Sequence, residues 1–532
     1  MAENHPMKKS VSIIILLLLS ILIIFIRFYQ LEADPDTTLT WSGVFYTDEG
    51  WHTENSVSKY TTGKWIIPGS ANHILLLPFM PSIDYIFIKA LGLSLWTLRV
   101  PSVICCLLSI GLLWVFSAQR VKEDDIYSEL SRRILPLLCL FIIGFNYYFF
   151  IYGRLALLDI PMAALGLCSL FFVYRALLAK NLKHKTAFYI SAGVLLAFAL
   201  LTKTTAAIFV VTLIFVLILQ LLADKTSRKS SFWGISSVIV IGFLVYLTIY
   251  KSLPYLLSAA DDVQPVELIS VRNSYIEEIR KTLNWTLKEA CNPTLFWVHI
   301  NGILTNLLIL RNQVFFWLAA TSLLLVVVQS YRQKKVNLTD NIMGSLFVAS
   351  FLFLGYFRYQ PPRYLTILIM PVAYFVSMLP QNLLSISQIS LDKRKDKRLM
   401  LTIVIIIFCA NIPNVLRVIA YHKNPRYSIV TVAGLIEKDI VKDNKIPNVE
   451  DIRLVSNLSI FSAINKIKIL YEFPIDGKGP IYLLSVDENY NPNSTKEPSL
   501  HPLAGKDAVP VASYNLLNNY KGRLYLYRKG GQ

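Results

Sequence analysis

The sequence predicts a polytopic α-helical membrane protein with about eleven transmembrane helices and a small C-terminal α/β domain. Hydrophobic residues make up 54% of the 532 residues, charged residues only 16%, and the mean hydropathy is +0.50. Soluble domains carry about 25% charged residues. Apolar runs of about 20 residues, the length needed to cross a bilayer, recur along the chain. Residues 421–532 lose this pattern and have the alternation of a water-facing domain.

The apolar runs define an expected membrane domain over residues 1–420. The expected spans lie at roughly 11–31, 98–118, 134–152, 156–178, 187–202, 205–223, 232–250, 313–330, 342–357, 364–380 and 400–419. The first follows two lysines and resembles a signal peptide, but no small-residue cleavage site follows, so we expect a retained helix. A further apolar stretch, Ile74 to Leu95, is broken by two prolines and an aspartate and is expected to lie on the membrane surface.

The tail is predicted to be an extracytoplasmic domain. It shows a helical pattern over 429–441 and strand-like runs at 452–455, 467–470, 481–486 and 523–527.

The net charge of +18 is explained by topology. Lysine and arginine concentrate in alternate short loops, as they do in cytoplasmic loops. This places the N-terminus in the cytoplasm, and two long loops, 32–97 and 251–312, outside it. Basic residues interleaved with aromatic ones, typical of nucleic-acid modules, are absent from the sequence. The six cysteines contain no CxxC pair, so neither a disulfide framework nor a zinc site is expected.

Ionisable residues collect at the predicted outer boundary of the membrane. Charges in or beside membrane segments are costly and often functional. The ionisable residues at this boundary are Asp48, Glu49 and His52 after the first span, His73 further along the same loop, Arg154 and Asp159 around the turn between the third and fourth spans, Lys203 between the fifth and sixth, and Arg358 and Arg363 between the ninth and tenth.

These residues suit group transfer from an anionic lipid. A carboxylate such as Asp48 can act as a general base towards an acceptor hydroxyl or amine. Cations such as Lys203 can bind a lipid phosphate and stabilise it as it leaves. The sequence has no glycine loop for nucleotides, which favours a donor already carried on lipid.

Each residue also has a simpler interpretation. Asp48 and Glu49 fit solvated loop acids, Asp159 fits a helix cap, and the arginines fit membrane anchors. The two histidines fit ordinary interfacial residues better than metal ligands.

Several short motifs, in this order, resemble the GT-C glycosyltransferases, in particular protein O-mannosyltransferases and the aminoarabinose transferase of lipid A. The resemblance covers roughly residues 10–420. The motifs are Tyr46-Thr47-Asp48-Glu49-Gly50, Leu98-Arg99-Val100-Pro101-Ser102, Tyr152-Gly153-Arg154-Leu155 with Asp159-Ile160-Pro161, Leu201-Thr202-Lys203, and Pro362-Arg363-Tyr364-Leu365.

The resemblance implies the GT-C fold, a polyprenyl-phosphate-linked sugar donor, an acceptor reached from outside, inversion at the anomeric carbon and no catalytic metal or other cofactor. It implies catalytic roles for three acids: Asp48 as general base, Glu49 supporting the base or contacting the acceptor, and Asp159 as a second acidic residue near the sugar. Donor phosphate contacts are implied at Arg154, Lys203 and Arg363. His52, His73 and Arg358 are the remaining candidate contacts to acceptor or sugar.

Two departures from the family stand out. The family's His-Pro-Pro motif corresponds here to Asn72-His73-Ile74, and Thr204 follows Lys203 where many relatives have glycine. Two other functions also fit the sequence: a transporter or flippase of lipid-linked sugars, whose site is usually near the bilayer midplane, and a structural partner with a degenerate site. The expected location is a bacterial inner membrane, and the acceptor is a protein, a lipid or a surface glycan.

Overall fold

The structure is a computed structural model. It describes residues 6–34, 44–67, 72–123, 128–223, 228–290, 312–333, 336–356, 362–386 and 393–425, short pieces between 297 and 305 and between 427 and 438, and five C-terminal strands. The side chains of 44–48, including Asp48, and all of Arg358 lie outside this description. So does most of the expected helix 429–441.

The membrane domain contains fifteen α-helices among the described residues. They are α1 (Pro6–Phe28), α2 (Val44–Thr62), α3 (Phe79–Leu91), α4 (Leu95–Glu123), α5 (Glu129–Phe145), α6 (Tyr147–Tyr152), α7 (Asp159–Leu178), α8 (Leu182–Thr202), α9 (Ala207–Ala223), α10 (Arg228–Asp261), α11 (Pro265–Ala290), α12 (Gln313–Gln333), α13 (Leu338–Tyr356), α14 (Leu365–Ile386) and α15 (Lys393–Lys423). Short 3₁₀ turns occur at His73–Leu75, Thr204–Ala206 and Pro362–Tyr364.

Ten described helices are long and apolar enough to cross a membrane. They correspond to ten of the eleven expected spans. The remaining one, expected at 134–152, is divided into the 17-residue α5 and the short α6. At the division, the side chain of Asn146 accepts a hydrogen bond from the Phe149 amide and so caps α6. At 17 residues, α5 is at the lower limit of a membrane span.

Helix α14 forms the centre of the bundle, and α1 lies at its edge. In their most apolar windows, 89% of α14 is buried and only 17% of α1. The main packing pairs are α7 on α8, α8 on α10, α12 on α14, and α4 on both α5 and α7. Helix α1 therefore presents most of its surface to lipid.

The long loops differ in part from expectation. The acidic segment after the first span is the helix α2. Helix α3 has 13 residues and is too short to span, which agrees with a surface position for that stretch. Helix α10 continues to Asp261, so residues 251–261, expected in an outer loop, are helical. Apolar residues such as Leu253 and Leu257 continue into this segment and are buried.

The C-terminal strands form one mixed sheet in the order β2-β1-β3-β5-β4. They are β1 (Arg453–Val455), β2 (Lys468–Leu470), β3 (Ile481–Asp487), β4 (Ala508–Asn515) and β5 (Arg523–Lys529). Strand β1 pairs in parallel with β2 and β3, whereas β5 pairs antiparallel with β3 and β4. Four strands were expected from the sequence, and β4 was missed because its hydrophobic alternation is interrupted by Pro510 and a register shift next to it.

Candidate active site

A buried carboxylate with two cations lies where α7, α8 and α14 begin or end. Lys203 Nζ is 2.7 Å from Asp159 Oδ1, and Arg363 Nε is 3.6 Å from Asp159 Oδ2. Lys203 follows the last residue of α8, Asp159 begins α7, and Arg363 lies in the 3₁₀ turn before α14. The structure therefore brings together three of the residues that the sequence placed at one membrane boundary. We call them the cationic centre.

The cationic centre is partly open. The Asp159 side chain is 1% exposed, but those of Lys203 and Arg363 are 11% and 13% exposed. Lys203 Nζ also lies 4.5 Å from the centre of the Tyr364 ring, within reach of a cation–π interaction. Two partly exposed cations at one site can hold an anionic group by charge-assisted hydrogen bonds.

Two histidines lie beside the cationic centre. The rings of His52, on α2, and His73 are 5.8 Å apart, and Trp51 packs edge-on against His73. Both ring nitrogens of His52 are buried and make no hydrogen bond in the described part of the chain. Burial above all, then the charges of His73 and Lys203, lower the pKa of His52 well below 6.5. Burial also lowers the pKa of His73. Both imidazoles are therefore neutral at physiological pH.

Glu49 is held in a buried ion pair. Arg99 donates from Nε to Oε1 at 2.9 Å and from Nη2 to Oε2 at 2.7 Å, and both side chains are fully buried. The Ala156 amide donates to Oε1 at 2.7 Å. Arg99 Nη1 donates to the carbonyls of Leu31 and Ala33. These bonds fix α2 to α4, to the segment before α7 and to the chain after α1. The Glu49 carboxylate thus positions α2, which contains Asp48.

Arg154 does not join the cationic centre in this structure. Its Nη1 donates to the carbonyls of Ile26 and Tyr29 at 2.7 and 2.9 Å, and Nη2 donates to Gln30. These are carbonyls at the end of α1, which have no partner within the helix. Its guanidinium also stacks on Phe150, 5.0 Å from the ring centre. The predicted phosphate contact at Arg154 remains a prediction, but this geometry favours a role in holding α1.

Asparagine side chains fix the segment that carries His73. Asn55 Nδ2 donates to Asn72 Oδ1 at 3.0 Å and to the Trp65 carbonyl at 2.8 Å, and Asn55 Oδ1 accepts from the Ile74 amide. Asn72 exchanges two hydrogen bonds with the backbone of Ile67. Asn72 has φ of 49°, a left-handed conformation that asparagine tolerates better than most residues. This network sets the position of His73 relative to α2.

Sequence reasoning missed three buried charged side chains near the site. Arg99 lay in a quoted motif without a role, although an arginine inside an apolar span signals a buried partner. Glu54, on α2, is 1% exposed. Asp84, on α3, is 4% exposed, and burial raises its pKa well above 3.8. Among the described residues, no cluster of three His, Cys, Asp or Glu side chains has the geometry to hold a metal ion.

The chain is similar in part to a known sequence family and throughout to known folds. Residues 84–254 match the family model of dolichyl-phosphate-mannose-protein mannosyltransferase. A search of curated proteins gave no sequence match. Among solved structures, ArnT from Cupriavidus metallidurans in the apo state matches with a TM-score of 0.61 and 12% identity over 98% of both chains.

Two further structures have the same fold. ArnT from Cupriavidus metallidurans bound to undecaprenyl phosphate matches with a TM-score of 0.55 and 13% identity over 99% of both chains. The archaeal oligosaccharyltransferase AglB from Archaeoglobus fulgidus, in complex with an inhibitory peptide and a dolichol-phosphate, matches with a TM-score of 0.53 and 11% identity, over 87% of this chain and 65% of AglB.

These matches bear on the resemblance found in the sequence. The family model covers α4 to α9 and most of α10, a range that includes Asp159 and Lys203. The fold is shared over almost the whole chain. The resemblance predicted from the short motifs is therefore confirmed: residues 84–254 match the mannosyltransferase family model, and the chain has the fold of ArnT and AglB.

Proposed function

We propose that this enzyme moves a monosaccharide from a polyprenyl-phosphate donor to a protein, lipid or surface-glycan acceptor on the outer side of a bacterial inner membrane. The observation that carries the proposal is the cationic centre, a buried carboxylate holding two partly exposed cations at the end of the bundle beside α2. A lipid phosphate sits at the membrane boundary, where such a centre can reach it. The ligands in the ArnT and AglB complexes, undecaprenyl phosphate and a dolichol-phosphate, belong to the same chemical class.

In this proposal Lys203 and Arg363 bind the donor phosphate. Asp159 accepts from Lys203 and lies beside Arg363, and so holds both cations in place. Because the cations are already paired and partly desolvated, they need little reorganisation when negative charge develops on the leaving phosphate. Asp159 acts through the cations in this assignment and is a positioning residue.

Asp48 is the proposed general base. It lies in α2 directly before Glu49, and the Glu49–Arg99 ion pair fixes that helix. The base takes the proton of the acceptor hydroxyl or amine, and the acceptor atom attacks the anomeric carbon on the face opposite the phosphate. The bond between the anomeric carbon and the phosphate oxygen breaks, and its electron pair leaves with the phosphate. This sequence inverts the anomeric carbon and consumes no other reactant.

His52 and His73 are proposed contacts to the sugar or the acceptor. A neutral imidazole offers one donor and one acceptor and so suits a hydroxyl group better than a phosphate. The buried ring nitrogens of His52 make no hydrogen bond to a described residue and lie within electrostatic range of Lys203, so they are available to a sugar bound at the cationic centre.

The test uses Asp48→Asn, which keeps the size of the side chain and removes the base. Purified enzyme is mixed with a panel of polyprenyl-phosphate sugars and with heat-inactivated cell-envelope extract as the source of protein, lipid and glycan acceptors, and release of polyprenyl phosphate is followed by lipid mass spectrometry. We expect turnover of one donor by the wild type and none by Asp48→Asn, with donor binding retained.

A matched control is Glu129→Gln, an exposed acid at the opposite end of the bundle whose loss leaves transfer unchanged. Normal transfer by Asp48→Asn contradicts the base assignment. Vesicle flipping of the donor without any transfer by the wild type favours the transporter.

A further inference from the structure

A long apolar groove lies between α1, α5 and α15, away from the cationic centre. Its volume is about 910 Å³, at the upper end of ligand pockets. Its walls are aliphatic and aromatic, with residues such as Leu22 on α1, Phe141 on α5 and Phe408 on α15. No residue of α7, α8 or α10 lines it. The groove is therefore separate from the helices that hold Asp159 and Lys203.

The groove ends at a polar patch with one cation, Lys423. Tyr29, His422 and Lys423 line this end, where α1 and α15 finish. Lys423 is exposed. The His422 ring contacts Tyr29 and Phe150, at centroid distances of 5.3 and 5.4 Å. Its Nε2 is buried and makes no hydrogen bond in the described part of the chain.

Two buried arginines lie behind this end. The guanidinium carbons of Arg27 and Arg154 are each 5.0 Å from the centre of the Phe150 ring. Arg27 Nε and Nη1 and Arg154 Nε are buried without a hydrogen-bond partner among the described residues. Neither arginine forms an ion pair with a described carboxylate, whereas Arg99 is paired with Glu49. Burial, with repulsion from Arg99 and Arg27, lowers the pKa of Arg154 to about 10, which still leaves it charged.

The groove thus combines apolar walls with a positive end at the level of the lipid head groups. Zwitterionic lipid fills apolar grooves but gains nothing from uncompensated charge. An anionic lipid gains from both, because its acyl chains lie on the apolar walls while its phosphate lies beside the cations. We propose that the groove between α1, α5 and α15 binds one anionic phospholipid, with its acyl chains along the groove and its phosphate at Lys423. This site is independent of the donor site and of the proposed transfer reaction.

The test is native mass spectrometry of the full-length protein from nanodiscs that contain equal amounts of dioleoyl phosphatidylglycerol and dioleoyl phosphatidylcholine. We expect the wild type to retain one phosphatidylglycerol. Lys423→Gln lowers its retention about fivefold, since one cation near an anionic head group contributes about 1 kcal/mol. Leu22→Trp, which fills the groove, abolishes retention.

The matched control is Leu244→Trp on α10, which is 56% exposed and does not line the groove. It retains phosphatidylglycerol as the wild type does. Equal retention of the two lipids by the wild type overturns the proposal, and so does an equal loss in Leu244→Trp. Added undecaprenyl phosphate that displaces the retained lipid at equal concentration also overturns it, because the groove is then a site for the donor or product. Lys423→Gln changes an exposed residue, so it tests the charge without altering the packed bundle.

Discussion

The two ends of the helix bundle each contain buried charges, arranged in different ways. At one end Asp159 lies beside Lys203 and Arg363, whose side chains keep more than a tenth of their surface exposed. At the other end Asp340 accepts from Arg120 at 2.6 Å and from the Tyr374 hydroxyl at 2.7 Å, and that pair is 4% and 2% exposed. The second carboxylate is matched by one cation and closed. The first lies beside two cations and keeps an opening, as the proposed binding site requires.

The largest effect is expected from a substitution that breaks the buried Arg120–Asp340 ion pair at the closed end. Arg120→Gln leaves Asp340 buried without its cation, and breaking a buried ion pair costs about 3–5 kcal/mol. We expect a strong fall in the melting temperature in detergent, with transfer per folded molecule retained. Thermal unfolding and specific activity, measured on the same sample, check this. A stable Arg120→Gln protein with lost activity would show that the closed end takes part in function.

The next effect is expected at the open end. Lys203→Gln removes a cation that we propose binds the leaving phosphate, and loss of one such stabilising group costs about 2.7–4 kcal/mol of transition-state free energy, or 10²–10³ in rate. The melting temperature should change less than in Arg120→Gln, because the Lys203 side chain is partly exposed. Steady-state kinetics measure the loss of rate, and thermal unfolding measures the change in melting temperature. Full activity in Lys203→Gln would refute the assignment of the cationic centre.

A smaller effect concerns pH. The pKa of His52 is lowered in the folded state, so the unfolded state binds more protons at low pH. The contribution of neutral His52 to the free energy of unfolding is therefore fully present above about pH 6.5. It is lost as the pH falls from 6.5 towards the lowered pKa of His52 in the folded protein. At one pH unit below 6.5, the His52→Gln protein should therefore have lost about 1 kcal/mol less stability than the wild type. Melting temperatures from pH 5 to 8 measure it. His184→Gln, at an exposed histidine, should keep the wild-type slope.

The smallest effect is expected at an exposed ion pair. Arg133 and Glu129 are i,i+4 neighbours on α5 with 22% and 65% of their side chains exposed. Arg133→Gln should cost only about 0.3–0.5 kcal/mol. A loss comparable with that of Arg120→Gln would show that burial is not what separates these pairs.

The sequence predicted the membrane helices well because hydropathy is a local property. It did not predict the division of the third span, since the apolar run continues through Phe145 to Tyr152 and one asparagine is too weak a signal. The division depends on Asn146, whose amide also bonds Asn312, far away in the chain. The strand β4 was missed for a similar reason, because Pro510 obscures its alternation.

For the candidate site, the sequence predicted which residues lie at the same membrane boundary better than which side chains contact each other. Charge placement put Asp159, Lys203 and Arg363 at one boundary, and the structure brings them together. Charge placement did not predict that Glu49 pairs with Arg99, 50 positions away, or that Arg154 binds the end of α1. Such choices of partner follow from helix packing, which periodicity does not encode. The role of each residue in transfer stays a prediction.

The Arg120–Asp340 pair has a consequence for how the chain is made. The two residues are 220 positions apart, so Arg120 enters the membrane before its partner exists. At common rates of synthesis this delay is roughly 10–40 s. During that time the arginine must stay near the lipid head groups, because an unpaired charge is costly in the bilayer core. The helices from α4 to α12 therefore assemble only loosely at this end until α13 is inserted. A chain truncated before Asp340 should be recognised as unfinished by membrane quality control.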